Sequence, residues 1–298
     1  MSFKKEFDFV HISKYFYTAS IILTIVGIIC LSVFGLNFGV DFRAGSNVDI
    51  SLSKSLTQSQ VQPILKKIGI DEGTSITPGD QRMNIRFIEV LTEEHDNQLK
   101  AEILKLDGTA SFEINTVDTE MAKELGRNAI YAVLLSCIGI IIYVSIRFEW
   151  RFALAAILAL IHDAFLVVTV FSIFRLEVDL IFITAVLTII GYSINDTIVI
   201  FDRIRENLRF AKLKTEKDLN VLVNKSVNQM LMRSLYTALT VFIAALFLYL
   251  FGGESIKMFS LAMVVGLIFG AYSSIFIASP FWLLLKSKQK NKKLGKAS

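Results

Sequence analysis

Apolar residues along the chain gather into six runs, separated by one long polar interval and several short ones. The runs are Tyr15–Gly35, Ala129–Ile146, Phe152–Phe174, Val178–Phe201, Leu235–Phe251 and Met258–Leu285. A helix rising about 1.5 Å per residue needs about 20 apolar residues to cross hydrocarbon, so the pattern predicts six transmembrane helices. The last run is long and carries Pro280 as a kink point. The first is too long for a signal-peptide core and lacks a small-x-small cleavage site, so it reads as a retained anchor.

The polar interval, 36–128, has the alternation of a folded α+β domain. "NVDISLS" (47–53) alternates as a strand, and "TQSQVQPILKKIG" (57–69) opens on a capping Thr and closes on Gly as a helix. A strand at "TSI", a turn at "TPGD" and a strand at "MNIRFIEV" follow. A Thr-capped helix, "TEEHDNQLKAEILKL", and a last strand, "SFEINTV", complete a βαββαβ order, which is ferredoxin-like. The expected architecture is an α-helical membrane protein with this small α+β domain between spans 1 and 2, exported to the far side.

Composition agrees, with 53% of the 298 residues hydrophobic and 19% charged. Cys30 and Cys137 lie inside apolar runs and read as small hydrophobes, not as a disulfide or thiolate site. The net charge of +4 does not mark a nucleic-acid face, because the basic residues flank apolar runs instead of forming an aromatic-interleaved patch. Lys4, Lys5 and Lys14 precede the first span, Arg147 and Arg151 fall between the second and third, eight basic residues lie in 202–234 and six in the tail, 286–298. The short loops on the opposite side hold only Arg175 and Lys257, so the positive-inside rule places both termini in the cytoplasm.

A charge at mid-bilayer costs roughly 2.5 to 3.5 kcal/mol on an insertion scale, which makes the ionisable residues inside the runs informative. These are His162 and Asp163 in the third, Asp179 at the edge of the fourth and Asp196 near its inner end. Counting rise per residue puts Asp196 about 8 Å from the cytoplasmic end, at a depth Arg233 can reach from the fifth span, and Asp163 roughly 18 Å deep. A dry Asp163 is expected to have a raised pKa, and an Asp196 facing Arg233 to stay charged, which is a pairing suited to a proton relay. Asn195, Ser193 and Thr197 are polar support for Asp196, and the competing reading makes that acid interhelical glue. For Arg233 the plain alternative is topological decoration, for His162 a satisfied buried histidine, and for "FDRIREN" (201–207) a snorkelling amphipathic helix on the membrane surface.

No phosphate loop, HExxH, GxSxG or CxxC pattern is present, so the reading is not an enzyme, with no cofactor or metal. Work would draw on an ion gradient, which supplies about 2.3 kcal/mol per charge per 100 mV, or on a partner.

"GYSINDTIVIFDRIREN" (191–207) closely resembles the signature of the SecF family, smaller subunits of the SecDF protein-export complex in the resistance-nodulation-division superfamily. "GLNFGVDFRAGS" (with Gly39, Asp41, Phe42 and Gly45), "EMAKELGRNAI", "LIHD", "RSLYTALT" and "LYLFGG" agree in order. The chain departs from the family at Arg43 and Ala44, and at Asp118, Thr119 and Ala122, where Gly, Pro and Gly are usual. The resemblance implies a multi-pass subunit of the bacterial cytoplasmic membrane that helps move preproteins through SecYEG, using protons or, in some relatives, sodium. It implies SecD and YajC as partners besides lipid and preprotein, and Asp196, Arg233, Asp163 and Asn195 as relay or gating residues. A structural scaffold subunit and a small-molecule exporter half are the competing functions.

Overall fold

The computed structural model describes residues 7–211 and 215–294. Lys4, Lys5 and the end of the basic tail, 295–298, lie outside the described residues. In chain order the elements are α1 (Phe9–Phe34), β1 (Asn37–Phe38), β2 (Gly45–Ser51), α2 (Gln58–Ile68), β3 (Ser75–Pro78), β4 (Arg82–Phe87), α3 (Glu93–Leu106) and β5 (Ser111–Val117). Then come α4 (Thr119–Arg147), α5 (Trp150–Ile173), β6 (Glu177–Val178), α6 (Leu180–Phe210), α7 (Glu216–Phe251) and α8 (Glu254–Ser273). A π-helical turn, Ser274–Ala278, leads into α9 (Ser279–Leu294). Six stretches among the described residues are long and apolar enough to cross a membrane: α1, α4, α5, α6, α7 and the continuous Ile256–Ser287. The chain divides into two compact units.

One unit, 38–131 with 178–180, is built on a four-stranded antiparallel sheet of order β3-β4-β2-β5. Strand alternation sends Val48 and Ile50 of β2, with Met83, Ile85 and Phe87 of β4, to one face. There they bury against Val61 and Leu65 of α2 and Leu99 and Ile103 of α3. The other face is polar: Asn84 donates to Asn47 Oδ1 and Asp49 Oδ1, each at 2.8 Å. Local signals set the helix ends. Thr57 and Gln60 form a capping box on α2, Gly69 closes it in the left-handed region at φ 81°, and Thr92 caps α3.

The other unit, 1–37, 132–177 and 181–298, holds the membrane-length helices. Gly27 of α1 lets that helix approach α5 so closely that a Cβ there would collide with Thr169. The last turn of α1 is closed by side chains: Ser172 Oγ donates to Gly35 O at 2.9 Å, and the Arg175 guanidinium donates to Phe34 O and Gly35 O. At the other end, Asp8 caps α1 and accepts from Asn224 of α7 at 2.7 Å, while Asn228 reaches Phe7 O. These contacts explain why α7 starts well before its apolar run, since Leu219, Leu222, Val223 and Val227 of its polar half are buried.

The "FDRIREN" segment, read from the sequence as an amphipathic helix at the membrane surface, is helical. It simply continues α6, and Ile204 is fully buried. Arg203 Nε and Asn207 Nδ2 both donate to Gln229 of α7, and Asn207 also donates to Ser226. Pro280 acts through the turn before it. With no N–H to donate and a ring that crowds the carbonyl four residues back, it favours local widening, and the backbone takes a π turn just upstream. Within that stretch, Ile277 O accepts from the Tyr17 hydroxyl of α1 at 2.9 Å.

Candidate functional site

Asp163, in the middle of α5, is fully buried. A carboxylate removed from water needs donors, and three helices supply them. Its Oδ2 accepts from Ser193 of α6 at 2.6 Å and from Ser273 of α8 at 2.7 Å. Its Oδ1 lies 3.1 Å from His162 Nδ1, whose Nε2 lies 3.1 Å from the Tyr272 hydroxyl. Tyr272 in turn lies 3.4 Å from Ser20 of α1. A histidine protonated on Nδ1 satisfies the whole chain, with Nδ1–H donating to the carboxylate and Nε2 accepting from tyrosine. His162 is therefore a largely buried, partnered side chain that extends the acid's network toward α1.

Ser193 and Thr197, four residues apart, share one face of α6, and Asp196 lies beside it on the buried side of the helix. That face is buried, whereas Gly191 and Asn195 are exposed. Thr197 Oγ1 pairs with Ser274 Oγ at 2.9 Å. The hydroxyls of Ser234 and Ser274, and the charge of Arg233, are the groups that bear on the Asp196 carboxylate. Oδ2 of Asp196 and Oγ of Ser234 nevertheless remain buried without a hydrogen-bond partner among the described residues. Arg233 is exposed and forms no ion pair with Asp196; its neighbour Ser234 is the α7 residue turned inward beside the acid.

Sequence reasoning thus found both carboxylates but assigned their polar support differently from the structure. Ser193 serves Asp163, not Asp196, Thr197 meets Ser274, and Asn195 faces outward. It missed Ser20, Ser234, Tyr272, Ser273 and Ser274 altogether. The signal for the last three is "AYSS" inside the sixth apolar run, three consecutive hydroxyls where apolar residues dominate. Arg151, counted only as a flanking charge, is buried, pairs with Glu149 and stacks over Trp150 with its guanidinium 4.6 Å from the ring centroid. Glu149 also holds Lys286 at 2.9 Å.

The Gly39–Gly45 segment forms a tight structure of its own. Gly39 donates to Val178 O at 2.8 Å, and Asp41 Oδ2 accepts from the Leu180 backbone N–H, the first of α6, at 3.0 Å. A Cβ on Gly45 would collide with the Phe87 carbonyl, so this position requires glycine. Phe42 packs edge-on against Phe38, and Arg43 covers the Phe38 ring at 5.9 Å. Asp118, where the resemblance expects glycine, instead accepts from Met121 N–H at 2.8 Å and caps α4. Burial lowers the pKa of Arg86, which feels the opposing charge of Asp179 and the like charge of Arg43.

Among the described residues, no three His, Cys, Asp or Glu side chains gather as a metal site. What the arrangement offers chemically is two carboxylates buried within a helical, membrane-length unit, surrounded by hydroxyls and one imidazole. Groups of this kind hold and release protons.

A family model described as "Protein export membrane protein SecD/SecF, C-terminal" matches residues 98–288, and one described as "SecD/SecF GG Motif" matches 31–55. The chain is 44% identical over 295 residues to the protein translocase subunit SecF of Alicyclobacillus acidocaldarius, covering 97% of this chain and 96% of that one. It is 46% identical over 291 residues to the protein translocase subunit SecDF of Bacillus subtilis, covering 97% of this chain but 39% of the relative. The crystal structure of SecDF from Thermus thermophilus superposes with a TM-score of 0.86 at 32% identity, over 95% of this chain and 39% of the other.

Proposed function

The chain belongs to the SecD/SecF family of protein export membrane proteins, and we propose that it is a SecF-type subunit that uses the proton gradient to assist preprotein translocation through a SecYEG channel. The observation that carries this reading is the pair of buried acids, Asp163 and Asp196, set in membrane-length helices and surrounded by hydroxyls. A buried carboxylate oxygen without a hydrogen-bond partner among the described residues is expensive, and its retention at Asp196 fits a group that gains and loses a proton. Arg233 serves as a mobile countercharge beside Ser234, and Asn195 faces a partner helix. The partner is a SecD-type chain: the SecDF relatives are more than twice the length matched here, so their remaining length supplies a second half. YajC is a further partner, and sodium replaces the proton in this scheme only if flux follows a sodium gradient.

In this reading both termini are cytoplasmic, and the βαββαβ unit is a ferredoxin-like domain on the far side of the membrane. Its strand order, β3-β4-β2-β5, supports that assignment, and the charge count along the flanks supports the orientation. The experiment is gradient-dependent preprotein export in vesicles carrying Asp196→Asn with the partner subunit. Reduced export at normal protein level is expected, and unchanged export overturns the relay.

One observation favours a scaffold role for Asp163 in particular, because its carboxylate ties α5, α6 and α8 together. If that is its whole contribution, Asp163→Asn lowers assembly with the partner in proportion to export, and co-purification separates the two.

A further inference from the structure

Ser273 and Ser274 are adjacent residues, about 100° apart around the helix, and they look toward different acids: Ser273 Oγ donates to Asp163, while Ser274 is among the groups that bear on Asp196. Ser273 Oγ has one hydrogen and two acceptors within reach, Asp163 Oδ2 at 2.7 Å and Gly270 O at 3.2 Å. Gly270 O is already occupied by the Ser274 backbone N–H and by Ser274 Oγ at 3.1 Å, the Ser274 oxygen in turn accepting from Thr197 Oγ1 at 2.9 Å. A carbonyl has two lone pairs, so Ser273 competes for a full acceptor. Beyond Ser274 stands Asp196, whose buried Oδ2 has no partner among the described residues.

We propose that Ser273, Gly270 O and Ser274 form a hydrogen-bond switch through which the charge state of Asp163 sets the hydrogen bonding of Asp196. The inference rests on the relay reading of the two acids and names the residues that link them.

With Asp163 charged, the Ser273 hydrogen stays on the carboxylate, the stronger acceptor. A proton arriving at Asp163 settles on Oδ2, because Oδ1 already faces His162 Nδ1. The new Oδ2–H donates to a serine oxygen, and the Ser273 hydrogen turns to Gly270 O. That carbonyl then faces three donors for two lone pairs, and the Ser274 hydroxyl turns away to Asp196 Oδ2. Loss of the proton reverses each step. The only bond made or broken is O–H at Asp163, since every hydroxyl keeps its own hydrogen and only rotates. His162, with Tyr272 behind it, faces Asp163, while Arg233 and Tyr192 face Asp196. All four are left intact in the variants below.

The test is infrared spectroscopy of the full chain in lipid nanodiscs with isotope-labelled aspartate, the Asp196 carboxylate band being identified by its loss in Asp196→Asn. Asp163→Asn imitates the neutral acid, with an amide that donates where Oδ2 accepted. The expected result is a shift of the Asp196 band in Asp163→Asn, absent when Ser274→Ala is added and restored with Ser274→Thr. Ser273→Ala, which removes the competing donor, abolishes the shift from the other side and decides the matter should Ser274→Ala fail to fold. An equal shift with and without the hydroxyls, or no shift in Asp163→Asn, overturns the switch. Because the readout is a bond and not export, that failure leaves the relay reading to its own test with Asp196→Asn.

Discussion

Ser193 Oγ lies 2.6 Å from Asp163 Oδ2, and through that one contact α6 is tied to α5 at a fully buried carboxylate. Ser193→Ala removes one of two hydroxyl donors to this oxygen while adding no bulk. The expected cost is about 1 kcal/mol, the scale of an interhelical hydrogen bond in a membrane protein. Unfolding of the purified chain in mixed detergent micelles measures it, and a neutral substitution would mean that Ser273 alone satisfies the acid.

Tyr272→Phe keeps the ring, which sits 5.8 Å from Phe16, but deletes the hydroxyl joining His162 to Ser20. Stability should fall by less than about 1 kcal/mol. The imidazole should respond clearly, because Nε2 loses its only donor among the described residues. Nitrogen chemical shifts of labelled histidine read that change, and an unaltered His162 signal would contradict the hydrogen-bonded chain.

At Gly27, α1 comes close to α5, with Thr169 and Phe165 where a side chain would go. Gly27→Leu should therefore cost about 1 to 3 kcal/mol through overpacking. The same substitution at Gly139, where a Cβ would meet nothing within 4 Å, should cost little. Paired thermal unfolding curves check the contrast.

Asp107 accepts from the backbone and hydroxyl of both Ser53 and Thr109, at 2.6 to 3.1 Å. These four donors hold its pKa far below the usual carboxylate range. A depressed folded-state value means that its stabilisation is fully present above the unfolded pKa of about 4 and is lost as pH falls through the folded value. Hydrogen exchange at Ser53 and Thr109 should thus accelerate only in strong acid, and in Asp107→Asn it should already be fast at neutral pH.

The two acids were legible because a charge in an apolar run is costly enough to stand out, and the strands of the smaller unit because their alternation is clean. The hydroxyls around the acids were not. Serine and tyrosine cost little inside a helix bundle, so Ser20, Ser234, Ser273 and Ser274 pass as ordinary span residues until neighbouring helices are in place. Register also hid the pairing: Ser193 is near Asp196 in sequence, yet three-dimensional packing gives it to Asp163, thirty positions away. The length of α6 past Phe201 escaped notice because charged residues ended the apolar run, although Ile204 stays buried against its surroundings. Arg175 reads as a loop cation in sequence, and its task of closing the end of α1 depends on chain segments far apart.

In the proposed relay, Asp196 handles the proton whose movement assists translocation. The direct measurement is ion flux in vesicles containing the chain with its SecD-type partner, under opposed proton and sodium gradients, for the wild type and Asp196→Asn at matched protein levels. Flux that follows the proton gradient and drops about tenfold or more on substitution, the scale of losing a positioned proton-transfer group, is the predicted result. Equal flux with and without the carboxylate would contradict it.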